Sequence, residues 1–308
     1  MLPEVRGWLR HRTSSAADWP LRDLKAAKGE TTVSVVLPAR DERETVGQIV
    51  GVIRRELDGL VDEIVVIDSR SSDDTALVAR RAGACVHAQD EILPRLKPMD
   101  GKGEALWKSL AVTSGDVLVF VDADIRKFRA SLVFGLLGPL FADPTVVYTK
   151  GCYDRPLHGT ANGGGRVTEL VARPLINLHW PQLAGFVQPL AGEYAGRRSA
   201  LERVPFLTGY GVELGLLIDL LELAGLDAFA QVDLGSREHA PQSTEALGRM
   251  ASQIMLAAWS RLLRQGKIET RHEPSVRLAQ FRRGLDGHDI LLRDIGIGER
   301  PPMITVTP

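Results

Sequence analysis

Cysteine is nearly missing from this chain: 308 residues carry two, Cys85 and Cys152. Both sit in apolar, strand-like surroundings without C-x-x-C spacing. A disulfide framework and structural zinc find no support, and two buried, reduced thiols are expected. An excess of one charge is missing too. Lys and Arg number 38 against 39 Asp and Glu, a net of -1, and no basic tract interleaved with aromatics is available to follow a nucleic-acid backbone. No apolar run spans a bilayer before Gly, Asp or Glu interrupts it, and MLPEVRGWLRHRTSS at the start lacks the apolar core of a signal peptide. The expectation is a soluble cytoplasmic protein with neither nucleic-acid nor membrane partners. Glycine is missing where a dinucleotide fingerprint would need it, since the first strand-to-helix turn reads Pro38-Ala39-Arg40-Asp41-Glu42-Arg43-Glu44. Gly101-Lys102-Gly103-Glu104 has lost both the upstream glycine and the Ser/Thr of a P-loop. G-x-S-x-G and H-E-x-x-H do not occur.

What is present is patterned. From Val33, TVSVVLPA reads as a strand, Thr45 to Leu57 as a helix and EIVVIDS as a strand, with Ser71-Ser72-Asp73-Asp74 opening the next helix. GACVHA, KGEALWKSLAVT and DVLVFVDAD repeat the alternation. Such βα units predict an α/β protein built on a doubly wound, mostly parallel sheet. Residues 1–30 look like an arm or short helices docked on the main body, 31–150 a first half of βα units, 151–281 a mainly helical second half, and 282–308 a tail with little structural signal, suited to wrapping or to a dimer contact. In the second half VVYTKGCY and AFAQVDLG read as strands, Val212 to Leu223 as a buried helix and Thr244 to Leu263 as an amphipathic one.

The chemistry begins at Asp122-Ala123-Asp124, two carboxylates at the end of the apolar run Val117–Val121. Ligands of open α/β sheets bind outside the carboxyl ends of such strands, and Mg²⁺ or Mn²⁺ is commonly held by one or two carboxylates together with substrate phosphates. Three other features end on the same side: the acidic turn with Glu42 and Glu44, Asp68-Ser69 after the second strand, and Lys102 at a helix start. Each alone is most often a cap or a solvated charge. Together they suit a nucleoside diphosphate, whose charge must be neutralised before it leaves. Arg166 and Thr168 follow Gly163-Gly164-Gly165 at a helix start, where free N–H groups favour an anion or the turn is simply flexible. Glu213 shares a helical face with Leu216, Leu217 and Leu220, so its carboxylate needs a partner: a sugar hydroxyl, a base or an internal salt bridge. Arg237 and His239 alternate in an extended segment and project to one side, which makes His239 a candidate metal ligand.

Taken together, VSVVLPARDERETV, DSRSSDDT, GKGEALWKSLAVTSGDVLVFVDAD, GGGRVTELVARPL, QPLAGEYAGRR, GYGVELGLLIDL and AQVDLGSREH resemble the glucosyl-3-phosphoglycerate synthases of actinobacteria, over roughly Thr31 to Leu263. The resemblance implies a GT-A glycosyltransferase fold, a divalent metal, a homodimer, and retaining transfer of glucose from UDP-glucose to the 2-hydroxyl of 3-phosphoglycerate. By position it implies that Pro38, Ala39, Glu42 and Ser69 hold base and ribose and that Lys102 meets the diphosphate. Asp124 and His239 would bind the metal, while Asp122 and Ala123 flank the donor. Gly165, Arg166 and Thr168 would hold the acceptor's charged groups, with Tyr210, Glu213 and Arg237 around sugar and acceptor. Three departures stand out. Ala123 replaces a Ser, Arg70 replaces a Gly beside Ser69 and is placed to affect nucleobase choice, and Ala240-Pro241 replace polar residues near the acceptor phosphate.

Competing readings are a mannosyl-3-phosphoglycerate synthase using GDP-mannose, an inverting GT-A transferase with Glu213 as general base, a sugar nucleotidyltransferase, and a nucleotide sensor without catalysis. A nucleotidyltransferase would call for a glycine-rich loop after the first strand, which Pro38-Ala39-Arg40 is not.

Overall fold

The computed structural model describes residues 1–155, 165–237, 242–284 and 287–306. The N-terminal segment folds as α1 (Pro3–His11), β1 (Thr13–Ser15) and α2 (Leu21–Lys28). Trp8 fixes it to the body by burying its ring and donating Nε1–H to the Phe229 carbonyl at 2.9 Å. Then come β2 (Val33–Ala39), α3 (Val46–Glu56), β3 (Glu63–Asp68), α4 (Thr75–Ala82), β4 (Cys85–Ala88), α5 (Lys102–Ser109) and β5 (Val117–Phe120), the alternation that the sequence pattern predicts. The remainder comprises α6 (Ser131–Ala142), β6 (Tyr148–Asp154), a π-helical turn (Thr168–Ala172) running into α7 (Arg173–His179), β7 (Tyr194–Arg197), α8 (Arg198–Leu201), β8 (Phe206–Leu207), α9 (Val212–Ala224), β9 (Phe229–Ser236), α10 (Thr244–Arg264), β10 (Arg277–Gly284), β11 (Gly287–Asp294) and β12 (Glu299–Arg300).

One eight-stranded sheet carries the site, in the order β1-β9-β6-β7-β5-β2-β3-β4. Only β7 runs against its neighbours β5 and β6, so the sheet is mostly parallel as expected. Side-chain alternation sorts β2 between two cores. Val33, Val35 and Leu37 pack with Ile49, Val50 and Ile53 of α3, whereas Val36 turns to the other face with Leu106 of α5. Both faces are covered, which explains why the central strands read as continuous apolar runs rather than alternating ones. Each fully buried Val, Leu or Ile of this kind contributes about 1.5–3 kcal/mol. The sheet is continuous through β6, which lies astride residues 150 and 151.

One expectation is corrected. Cys152 is buried, but Cys85 is exposed with its sulfur 3.2 Å from His87 Nε2, because β4 is the outermost strand and has no neighbour on that side. Where the sequence gives little structural signal, β10 and β11 pair antiparallel from Arg277↔Asp294 to Gly284↔Gly287. Their strands, RLAQFRRG and GHDILLRD, mix apolar and charged residues without a clean alternation, so the sequence signal is weak.

Candidate active site

The carboxyl ends of β2, β3 and β5 open into a cleft of about 910 Å³ that is closed on the far side by α9 and α10. Its floor is built from element ends. β5 delivers Asp122, Ala123 and Asp124; Ala123 turns inward to the core, 3% exposed, and its carbonyl accepts from Thr45 Oγ1 at 2.6 Å, so the middle residue of the pair points away from the cleft. Lys102 opens α5 and Glu213 lies in the first turn of α9, two helix starts that meet. Lys102 Nζ donates to Asp122 Oδ1 at 2.6 Å and to Glu213 Oε1 at 3.0 Å. Glu213 is 5% exposed, and the partner that its apolar face demands is Lys102.

The backbone needs glycine in two places for this to close. Gly101 has φ +108, and a Cβ there would lie 2.2 Å from the Thr208 carbonyl oxygen; a Cβ on Gly192 would lie 2.3 Å from Asp122 Oδ2. Either side chain would displace Lys102 or Asp122.

Arg237, just past β9, takes up the rest of the acidic pair. Its guanidinium reaches Asp124 Oδ1 at 2.8 Å and Asp122 Oδ2 at 3.5 Å, makes a close ion pair with buried Glu193, and donates to Tyr153 Oη at 3.2 Å. Arg237 therefore lines the cleft as expected, with its charge engaged by carboxylates. Burial raises the Asp122 carboxyl, but Lys102 and then Arg237 outweigh it and hold the group well below the carboxylate range. Asp124 moves the other way, raised first by partial desolvation between the cleft walls and then by repulsion from Asp122. Glu42 is pushed up to about 7, first by burial and next by Asp124. The carboxylates of Glu42, Asp122, Asp124, Glu193 and Glu213 number five at the floor, against the four cations Lys102, Arg237, Arg155 and Lys150 that act on them.

That surplus suits a divalent cation. Asp124 is 56% exposed at its side chain and faces open cleft, a donor set of carboxylate oxygens with room for substrate phosphate oxygens. Among the described residues no three His, Cys, Asp or Glu form a ready cage, and His239 lies outside them. The fit is to a cation shared with substrate.

The rim has the opposite sign. Arg166 and Arg249 line one end of the cleft, and among the described residues neither has a carboxylate within ion-pair distance, whereas Arg155 stands beside the floor, its Nη2 donating at 2.8 Å to the Tyr153 Oη that Arg237 also reaches. Arg166 begins a helical stretch behind Gly165, whose φ is +76, and its Nη2 donates to the Gln242 carbonyl at 3.1 Å. Thr168 is 5% exposed at the same end. Gly163 and Gly164 lie outside the described residues.

One cleft collects Pro38, Ala39, Glu42, Ser69, Lys102, Asp122, Ala123, Asp124, Gly165, Arg166, Thr168, Tyr210, Glu213 and Arg237. Ser69 Oγ donates to Gln89 Oε1 at 2.8 Å, and Tyr210, 46% exposed, sits at the entrance. Glu44, Asp68 and Arg70 were also singled out and do not line the cleft; Arg70 shows where its charge goes instead. It adopts φ +61, and its guanidinium is held by Asp90 at 2.6 Å and Asp100 at 2.5 Å. Those ion pairs accompany a left-handed backbone that costs a bulky residue about 1–2 kcal/mol. Sequence reasoning missed Glu193, Arg155, Thr208, Arg249 and Gln253. Glu193 was within reach, as a lone acid in the apolar run PLAGEYAG; the others carry no local signal.

A glycosyltransferase of the GT-A fold, dependent on a metal and a nucleotide sugar, is the class that this sheet and its carboxylate cleft define. Residues 34–160 match the model of glycosyl transferase family 2. The chain is 46% identical to the glucosyl-3-phosphoglycerate synthase of Mycolicibacterium smegmatis over 98% of each chain. Among solved structures it is similar to a mannosyl-3-phosphoglycerate synthase from Rubrobacter xylanophilus, with a TM-score of 0.93 and 40% identity over 98% of this chain and 100% of that one. It is also similar to a glucosyl-3-phosphoglycerate synthase from Mycobacterium tuberculosis in complex with Mn²⁺, UDP-glucose and phosphoglyceric acid, with a TM-score of 0.82 and 43% identity over 93% and 95%. This chain belongs to the glucosyl-3-phosphoglycerate synthase family.

Proposed function

We propose that the protein moves glucose from UDP-glucose to the 2-hydroxyl of 3-phosphoglycerate, with retention at the anomeric carbon, as a cytoplasmic homodimer. The observation that carries this is the division of one cleft into an acidic floor beside Lys102 and a basic rim at Arg166, one end for a metal-bound diphosphate and the other for a second anion. The Mycobacterium tuberculosis relative, solved with Mn²⁺, UDP-glucose and phosphoglyceric acid, supports the same pairing of donor and acceptor.

In this reading Pro38, Ala39, Glu42 and Ser69 hold base and ribose. Asp124 and His239 would hold Mg²⁺ or Mn²⁺, with Asp122 and Ala123 flanking the donor. Such an ion, when bound, offsets the charge that develops on the departing diphosphate. Lys102 lies next to that position and donates to the diphosphate. Gly165, Arg166 and Thr168 grip the acceptor's anionic groups. Glu213, tethered to Lys102, orients hydroxyls of sugar or acceptor, with Tyr210 and Arg237 closing the pocket. Holding the reactants in line is the main demand of a front-face transfer, in which the leaving oxygen itself accepts the acceptor's proton.

The test is a donor panel of UDP-glucose, GDP-glucose and GDP-mannose against 3-phosphoglycerate with Mn²⁺, and the anomeric coupling of the product read by proton NMR. Expected are an α-linked glucosyl product from UDP-glucose and loss of turnover in excess chelator. A β-linked product would make Glu213 a general base in an inverting enzyme. Preference for GDP-mannose would favour the activity named for the Rubrobacter relative.

A further inference from the structure

Near the end of the chain, residues 298–301 lie against the back of the donor end of the cleft. β12 pairs antiparallel with β8, and just beyond it Thr208 N–H donates to the Gly298 carbonyl at 2.9 Å while Gly298 N–H donates to Thr208 Oγ1 at 2.9 Å. Thr208 lines the cleft, and its carbonyl accepts the amide of Gly103, next to Lys102, at 3.0 Å. The strap is held closely by Arg300, which is 5% exposed. Its Nε and Nη2 each reach one oxygen of Glu104 at 2.7 Å, Nη2 also donates to the Lys97 carbonyl at 2.6 Å, and the guanidinium lies over Trp107, whose Nε1–H is taken by the Pro301 carbonyl at 2.8 Å.

Glu104 follows Lys102 by two residues in the first turn of α5 and is completely buried. One Glu104 oxygen also lies 3.4 Å from Lys108 Nζ, which donates to the Gln89 carbonyl at 2.8 Å. The Gln89 side chain accepts from Ser69 Oγ at 2.8 Å and donates to the Met99 carbonyl at 3.1 Å. A single buried polar network therefore runs from the strap to both ends of the donor site, to the helix start bearing Lys102 and to Ser69. A planar guanidinium that meets both oxygens of a carboxylate fixes orientation as well as distance, and the rotation of α5 decides where the Lys102 ammonium points.

We propose that Arg300 is a positioning residue for the nucleotide: through Glu104 the C-terminal strap sets Lys102 and Ser69 in the arrangement that binds the donor's diphosphate and base. This rests on the reading of Lys102 and Ser69 as donor contacts. The opposite edge of the strap supplies a control, because Glu299 pairs with Arg261 of α10, away from α5.

Calorimetric titration of the full chain with UDP plus Mn²⁺, and separately with 3-phosphoglycerate, tests it. Arg300→Met should weaken UDP binding roughly tenfold, the lower end of what losing an outer-layer partner costs, and leave 3-phosphoglycerate binding within about twofold. Arg300→Lys should recover part of the loss. Glu299→Gln should lower Tm without changing the UDP affinity, whereas a merely structural role for Arg300 would move the two variants alike. Equal loss in Arg300→Met and Glu299→Gln, or none in Arg300→Met, overturns the inference. Should Arg300→Met not fold, an unchanged UDP affinity in Arg300→Lys overturns it instead. A wild-type chain that does not bind UDP with Mn²⁺ overturns the donor-site reading and this inference with it.

Discussion

Lys150 shows how much a single side chain can cost here. It lies on β6, fully buried, with Nζ 4.7 Å from the centre of the Tyr194 ring and 3.5 Å from Tyr148 Oη. Burial pushes its ammonium down to about 7. In the unfolded chain the same lysine keeps its proton to about 10.4. Between those values the unfolded state binds more protons than the native one, so this residue makes stability rise with pH, by at most about 1.4 kcal/mol per pH unit. Lys150→Met should remove that slope, so its stability advantage over wild type should grow as pH falls from about 10 to 7 and then level off. Urea unfolding at several pH values measures it, and parallel curves for the two proteins would contradict it. Lys150 was invisible in the sequence, where YTKGCY reads as a strand and does not say which neighbours face the amine. Lys102 was legible only in company, since a lysine at a helix start is by itself most often solvated and gained meaning from the carboxylates ending on the same side of the sheet; its two carboxylate partners come from β5 and α9.

At the scale of elements, the site is made from starts and ends. The helical stretch that begins at Arg166 meets the cleft with an exposed guanidinium and, behind it, the buried hydroxyl-bearing Thr168. Arg166→Ala should weaken 3-phosphoglycerate roughly tenfold to a hundredfold, about 1.5–3 kcal/mol for a charge-assisted contact, and leave UDP binding with Mn²⁺ unchanged. Titration with each ligand separates the outcomes; equal weakening of both would place Arg166 outside a distinct acceptor subsite. Element type was well legible where apolar period and length agreed, as for α9 and α10. Their contribution to the site was less so. α10 supplies Met250 and Gln253 to the cleft wall, although nothing in its amphipathic pattern marks these positions off from its core stripe.

At the scale of the whole molecule, the described residues leave an apolar surface uncovered on the β10–β11 hairpin. In the β10–β11 hairpin Phe281 is paired with Ile290 and Ala279 with Leu292, so these side chains share one face, and Phe281, Ile290 and Leu292 are 64%, 62% and 64% exposed. The opposite side of the hairpin touches α10 through Gln280, whose Nε2 donates to the Glu245 carbonyl at 3.1 Å. A hairpin with an apolar face in water is poorly stabilised and prone to association unless that face is covered. A second copy of the chain is the proposed cover. Light scattering should find a dimer for the wild type and a monomer for the double variant Phe281→Lys, Ile290→Glu; a monomeric wild type, or a dimeric variant, would place the contact elsewhere.

By itself the sequence determined the layered α/β architecture, because βα alternation with apolar strands admits few other packings, and it determined the cleft's chemistry, because carboxylates at strand ends and a lysine at a helix start fall on one side of a parallel sheet. It also marked Glu213 as needing a partner, since a carboxylate on an apolar helical face has to be paired. Only the tertiary structure decided which partner. Lys102 and Glu213 are 111 residues apart, Arg237 and Asp124 113, and Arg300 and Glu104 196. Pairings at such separations depend on how helices settle on the sheet, and side-chain charge is directed by that packing. Local periodicity carries no record of it.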